Sequence, residues 1–129
     1  MAVIPDPVAS AATLTLRAIT GDAGFALQDG TPVILSWTAP DDGRLHSIMQ
    51  VAYIHAASDM TGGNIGCSFT DPDGNSVTDP VFVAGALSAG FSNWNSNVLL
   101  VQPGSVSTVD QATALAAGAA TCWAEIWAT

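Results

Sequence analysis

The chain has 129 residues, of which 49% are hydrophobic and 10% charged, and its formal net charge is −9, from 11 acids against Arg17 and Arg44. That length suggests one domain, and a chain this apolar is not disordered by composition. An acidic chain without lysine repels phosphate backbones and anionic lipid, so nucleic acid and membranes are excluded as partners and a basic or apolar protein patch is expected instead.

Soluble domains carry about 25% charged residues. This chain has little charge with which to wet a free surface, which points to coverage by other protein. No apolar run approaches the ~18–20 residues of a membrane span. The start, Met1 to Pro7, lacks the positive charge and apolar core of a signal peptide. The expectation is a cytoplasmic origin, or export as part of something larger.

Residues 1–12 read as an extended N-terminal arm, because Pro5 and Pro7 exclude a regular start and small residues follow. Residues 13–129 read as the folded domain. Glutamate appears once, at Glu125, so strong helix formers are scarce outside the alanines. Turn pairs such as Asp42-Gly43, Asp73-Gly74 and Pro103-Gly104 separate most of the apolar runs, the pattern of a β-sandwich or barrel.

The first predicted strand, 13–19, sets Leu14, Leu16 and Ala18 against Thr13, Thr15 and Arg17. The second, 31–38, puts Val33, Leu35 and Trp37 on one face. The third, 45–56, is apolar on both faces: Leu45, Met49, Val51 and Tyr53 on one, Ile48, Ala52 and Ile54 on the other. Strands follow at 64–70, 80–84, 97–102 and 105–109. Residues 85–97, with Phe91 and Trp94 among Gly, Ser and Asn, read as a loop. Residues 110–120 read as a loop or one or two helical turns. The last strand, 119–128, sets Thr121, Trp123, Glu125 and Trp127 opposite Cys122, Ala124 and Ile126.

A two-sheet sandwich of this length has no third layer of its own. A strand that is apolar on both faces therefore packs one face inside the domain and the other on a copy of the chain. Tyr53, Trp123 and Trp127 are the candidate self-contact residues, tryptophan being enriched at association hot spots. The alternative is that the tryptophans are ordinary core residues.

The segments "TAPDDGRLHSIMQVAY", "LLVQPGSVSTV" and "ATCWAEIWAT" resemble three stretches of the tumour-necrosis-factor/C1q-like jelly rolls. These are the Pro–Gly turn into a central strand, the segment before the penultimate strand, and the final aromatic strand near a three-fold axis. Leu45 stands where that pattern has Tyr, and Ser105 where it has Asp. The resemblance implies an all-β fold, a two-sheet antiparallel jelly-roll sandwich, assembled as a homotrimer. Among such proteins, a leaderless chain with a small-residue arm suits a bacteriophage decoration protein, a non-enzymatic structural protein on the capsid exterior of the virion. The partners expected are the chain itself and the major capsid protein, with Val3, Ile4, Pro5 and Val8 of the arm as capsid-attachment residues. The rival reading is a carbohydrate- or receptor-binding trimeric tip domain of a phage fibre or tail. There Phe91, Trp94 and the asparagines 93, 95 and 97 form a sugar platform, against a bland role for that segment as an aromatic plug over one end of the sandwich.

The remaining chemistry is sparse. Asp71, Asp73 and Asn75 match the first three ligand positions of a calcium loop, but Ser76 replaces its glycine and Phe82 its final glutamate, so a hairpin turn is favoured. His46 and His55 lie an odd number of residues apart on one strand and face opposite ways, so no metal and no cofactor is expected. Each reads instead as a half-buried interface histidine whose protonation near pH 6.5 weakens a trimer. Most acids, among them Asp22, Asp29, Asp41, Asp42, Asp73 and Asp79, stand in turn contexts. Cys67 and Cys122 sit among apolar neighbours as expected free thiols, with a disulfide between them as the minor alternative. No catalytic motif is visible.

Overall fold

The computed structural model describes residues 14–20 and 33–129. Val3, Ile4, Pro5, Val8 and the rest of the expected arm lie outside the described residues, as do Asp22 and Asp29. Among the described residues every regular element is a strand. In chain order these are β1 (Thr15–Ile19), β2 (Val33–Thr38), β3 (His46–Ala56), β4 (Thr61–Gly62) and β5 (Ile65–Thr70), followed by β6 (Ser76–Val83), β7 (Ser92–Val101), β8 (Val106–Gln111), β9 (Leu115–Ala117) and β10 (Ala120–Ala128).

They form two four-stranded antiparallel sheets, β1-β10-β3-β7 and β2-β8-β5-β6, with β4 and β9 as a small separate pair. Apart from the β5–β6 hairpin, the long strands that follow one another lie in opposite sheets. The chain thus winds around its own core as a jelly-roll sandwich. β3 is central, paired with β10 on one side and β7 on the other.

The period-two pattern of β3 is complete. His46, Ile48, Gln50, Ala52, Ile54 and Ala56 are buried, and the residues between them are half-buried. β10 repeats it, burying Cys122, Ala124, Ile126 and Ala128. These side chains meet Ile65, Cys67, Phe69, Phe82, Val83 and Val109 of the other sheet in one core. Each fully buried isoleucine contributes on the order of 1.5–3 kcal/mol.

Two bulges displace the sequence expectation. In β1 the register shifts at Arg17, so Leu16 pairs with Trp127 on the outer side while Ala18 pairs with Ile126 on the inner side. In β2 a shift between Val33 and Leu35 leaves Val33 62% exposed, while Ile34, Leu35 and Trp37 pack on the core. A bulge inserts one residue and breaks the alternation that face assignment relies on. Three further boundaries differ. β6 starts at Ser76 and runs through Pro80, which an edge strand tolerates because one side of its backbone needs no partner. β7 starts at Ser92, inside the expected loop. The segment after β8 forms β9 rather than a helical turn.

The predicted hairpin turn at 71–75 is present. The Asp71 carbonyl accepts from Gly74 N, and its carboxylate accepts from Asp73 N, Asn75 N and Asn75 Nδ2. Asp71 therefore serves as the turn's own cap. Asp79, expected in a turn, instead stands within β6, where Oδ1 accepts from Val81 N. Gly118 needs its glycine: φ is 88°, and a Cβ there would collide with the Asp59 carbonyl.

Candidate functional site: the outer face of the β1-β10-β3-β7 sheet

The outward residues of β10 are Thr121, Trp123, Glu125 and Trp127, and those of β3 are Met49, Val51, Tyr53 and His55. Register places them in rows. Trp123 pairs with Tyr53, and Tyr53 with Trp94 on β7. Trp127 pairs with Met49 and with Leu16, and Met49 with Val98. Ser47 pairs with Leu100. The three candidates Tyr53, Trp123 and Trp127 therefore share one face, as expected. They are half-buried on the outside of the sheet, which removes the ordinary-core alternative for both tryptophans.

The face is larger than the sequence reading. Trp94 and Leu100 are 66% and 61% exposed, and Val98, Leu16 and Ile19 extend the patch to both edges. The signal was present as Trp94, Ser96, Val98 and Leu100 at period two, hidden among residues that read as loop formers. Four strands span roughly 15–20 Å across, and the three long ones, β3, β7 and β10, run about 30 Å or more, while β1 is half as long. Exposed apolar patches beyond a few hundred Å² mark interaction sites.

Its polar atoms are largely paired with one another. The Tyr53 hydroxyl lies 2.9 Å from Ser92 Oγ, and His55 Nδ1 lies 2.8 Å from the same oxygen. Trp127 Nε1 donates to Glu125 Oε2 at 3.1 Å. Glu125 is the one acid among the outward residues of these four strands. Most donors of the face thus keep a partner when it is dried, and the Glu125 carboxylate is the group whose desolvation costs most.

The asparagines do not join Trp94. On β7 they alternate with it and point inward. Asn95 Nδ2 donates to the Phe82 carbonyl of β6 and Asn93 Nδ2 to the Ala84 carbonyl just past it, tying β7 to the β6 end across the sandwich edge. The sugar platform built from Trp94 with asparagines 93, 95 and 97 is therefore corrected. So is the aromatic plug, since Phe91 and Trp94 are each 66% exposed.

His46 is corrected as an interface histidine. It is fully buried inside its own protomer, with Nε2 2.9 Å from Asp42 Oδ1, Nδ1 3.0 Å from the Thr129 carbonyl oxygen, and its ring edge-on to Trp37. The hydrogen bond from His46 holds the Asp42 carboxyl below its ordinary range. His55 does face outward, half-buried, as expected.

Cys67 and Cys122 are buried thiols, neither in a disulfide. Burial, reinforced by the charges of Asp79 and Asp110, pushes the Cys67 thiol up to about 12. Among the described residues no three His, Cys, Asp or Glu side chains are grouped so as to hold a metal ion, and no helix is long and apolar enough to cross a membrane.

No protein-family model matches the chain, and no curated protein matches it. Solved structures do. A chain from the structure of the infectious bursal disease virus Gx strain superposes with a TM-score of 0.58 at 14% identity, over 90% of this chain and 32% of that one. A chain of the infectious bursal disease virus VP2 subviral particle gives 0.56 at 14% identity, over 90% and 32%. A chain of a viral particle of the same virus gives 0.53 at 14% identity, over 88% and 31%. This chain therefore spans about a third of the length of these neighbours, and the likeness is one of fold.

Proposed function

We propose that this chain is a non-enzymatic structural protein of a virus particle that works by packing against protein neighbours. The observation that carries this reading is the apolar outer face of the β1-β10-β3-β7 sheet, on a jelly roll whose solved neighbours are chains of virus particles. The finer form is a homotrimeric decoration protein on the outside of a bacteriophage shell. Tyr53, Trp123 and Trp127 meet their copies across the three-fold axis. Val3, Ile4, Pro5 and Val8 contact the major capsid protein, and bridging shell subunits adds buried area across their junctions. A standard interface buries about 800 Å² per partner, of which a flat sheet face of roughly 450–600 Å² supplies the larger part. The test is native mass, followed by co-sedimentation with particles. A trimer that sediments with shells supports the reading. A lone protomer at micromolar concentration that stays in the supernatant sinks it.

A second reading, a carbohydrate-binding tip domain, is favoured by one feature. The exposed Trp94 ring stands in the row beside Tyr53, whose hydroxyl meets Ser92, and apolar sugar faces stack on aromatic rings. Glycan-array binding lost in Trp94→Ala would support it.

A further inference from the structure

The second feature of the molecule is a cleft at the edge of the β-sandwich between the start of β6 and the end of β7, bordering the outer face at Leu100. It has a volume of about 300 Å³ and is lined by Phe69, Val77, Leu99, Leu100 and Val101, with Asp71 at its rim. It runs from the core to the surface: Phe69 is 6% exposed, whereas Val77 is 67% exposed. That volume is at the small end of ligand pockets. It suits one apolar anchor side chain rather than a cofactor.

The end of the molecule where it opens is acidic. Ser105, also in the cleft wall, accepts a bond from Ala39 N, and Gly104 N donates to the Ala39 carbonyl. The turns around 39–45, 71–75 and 102–105 therefore meet. They carry Asp41, Asp42, Asp71 and Asp73. Their one cation, Arg44, is held by Asp42 at 3.0 Å. The Asn75 donors keep the Asp71 carboxyl below its ordinary range.

We propose that this cleft receives an extended segment of a basic partner protein, in which one leucine-like side chain enters between Val77, Leu99 and Phe69 while flanking lysine or arginine residues face the acidic turns. A second copy is a poor occupant, since it is itself lysine-free and carries −9. Only the identification of that partner with a shell subunit rests on the reading above; the cleft chemistry does not.

The experiment titrates the isotopically labelled full chain with three short peptides: Lys-Leu-Lys, Glu-Leu-Glu and Lys-Ser-Lys, each capped at both ends. Methyl resonances of Val77 and Leu99 report binding. The expected result is saturable shifts with Lys-Leu-Lys, at least about tenfold tighter than with either other peptide, weakening as salt screens the acids. Val77→Trp fills the cleft from an exposed position and abolishes the shifts. Absence of shifts, equal binding of Glu-Leu-Glu, shifts confined to the outer sheet face, or indifference to Val77→Trp would each overturn the proposal. So would shifts of Val77 and Leu99 that depend on protein concentration without peptide, because they would put a second copy in the cleft. Peptide binding without co-sedimentation removes only the shell reading; co-sedimentation without peptide binding removes only this one.

Discussion

Trp123 of β10 and Tyr53 of β3 are direct cross-strand partners on the face turned away from the core, and Trp94 of β7 continues their row. Three aromatic side chains in register across three strands do not result from core packing, which uses the opposite face of the same strands. On an isolated protomer they leave a large apolar surface in water. That cost of hydration is removed when a second surface covers them.

The first prediction concerns that row. Trp94→Asp and Trp123→Asp place a charge in the patch without touching the buried side chains beneath. Each should weaken self-association by at least about 2 kcal/mol per contact, roughly thirtyfold, as expected at a hot spot. Sedimentation velocity reads the shift to smaller species. Far-ultraviolet circular dichroism should be unchanged for Trp94→Asp, whose side chain is 66% exposed.

The strands that carry this face were legible to different degrees. The opening at 45 and the alternation through Ala56 gave β3, and Thr121 through Ile126 gave β10, because both follow a strict period of two. The start of β7 is hidden in the sequence because Ser92, Asn93 and Asn95 are turn formers by propensity. In the fold the inward asparagines bond carbonyls across the sandwich, so tertiary contacts override that preference. The face of Leu16 was misplaced by a bulge, which leaves no mark in the spacing of apolar residues. His46 looked like an interface residue because its partners, Asp42 and Thr129, stand 4 and 83 residues away. Nothing in the local pattern announces the second of them.

The second prediction follows from the His46–Asp42 pair. The folded-state pKa of Asp42 is lowered from 3.8, first by the hydrogen bond from His46. A lowered acid contributes stability that is present above its unfolded value and is lost as pH falls through the folded one. Melting temperature should therefore drop below about pH 3.8, and Asp42→Asn should lower it at neutral pH and flatten that acid limb. A scan of wild type and variant from pH 7 to below 3 by differential scanning fluorimetry checks the difference between the two curves, in a range set by the ordinary carboxylate values.

The third concerns the edge tie. Asn95 Nδ2 donates to the Phe82 carbonyl at 3.0 Å. Asn95→Ala removes that donor and leaves the β6 carbonyl short of a partner. The expected loss is about 1 kcal/mol, read as a lower urea midpoint with unchanged slope. An unchanged midpoint would mean that the asparagine only decorates the edge.

The last prediction is alkaline. Cys67 ionises near 9.0 in the open chain and is pushed up to about 12 in the fold, by burial first and then by the charges of Asp79 and Asp110. The folded state holds the proton more tightly, so this contribution is fully present below the unfolded value and is lost as pH rises toward the folded one. Urea midpoints measured between pH 8 and pH 11 should fall more steeply for wild type than for Cys67→Ala, which has no thiol to ionise, over the window set by the two values. The same burial makes the native thiol slow to react with a disulfide reagent at pH 8, because the thiolate is the nucleophile. Fast labelling of Cys67 in the folded protein, or parallel alkaline curves for the two proteins, would show that the thiol is not buried as described.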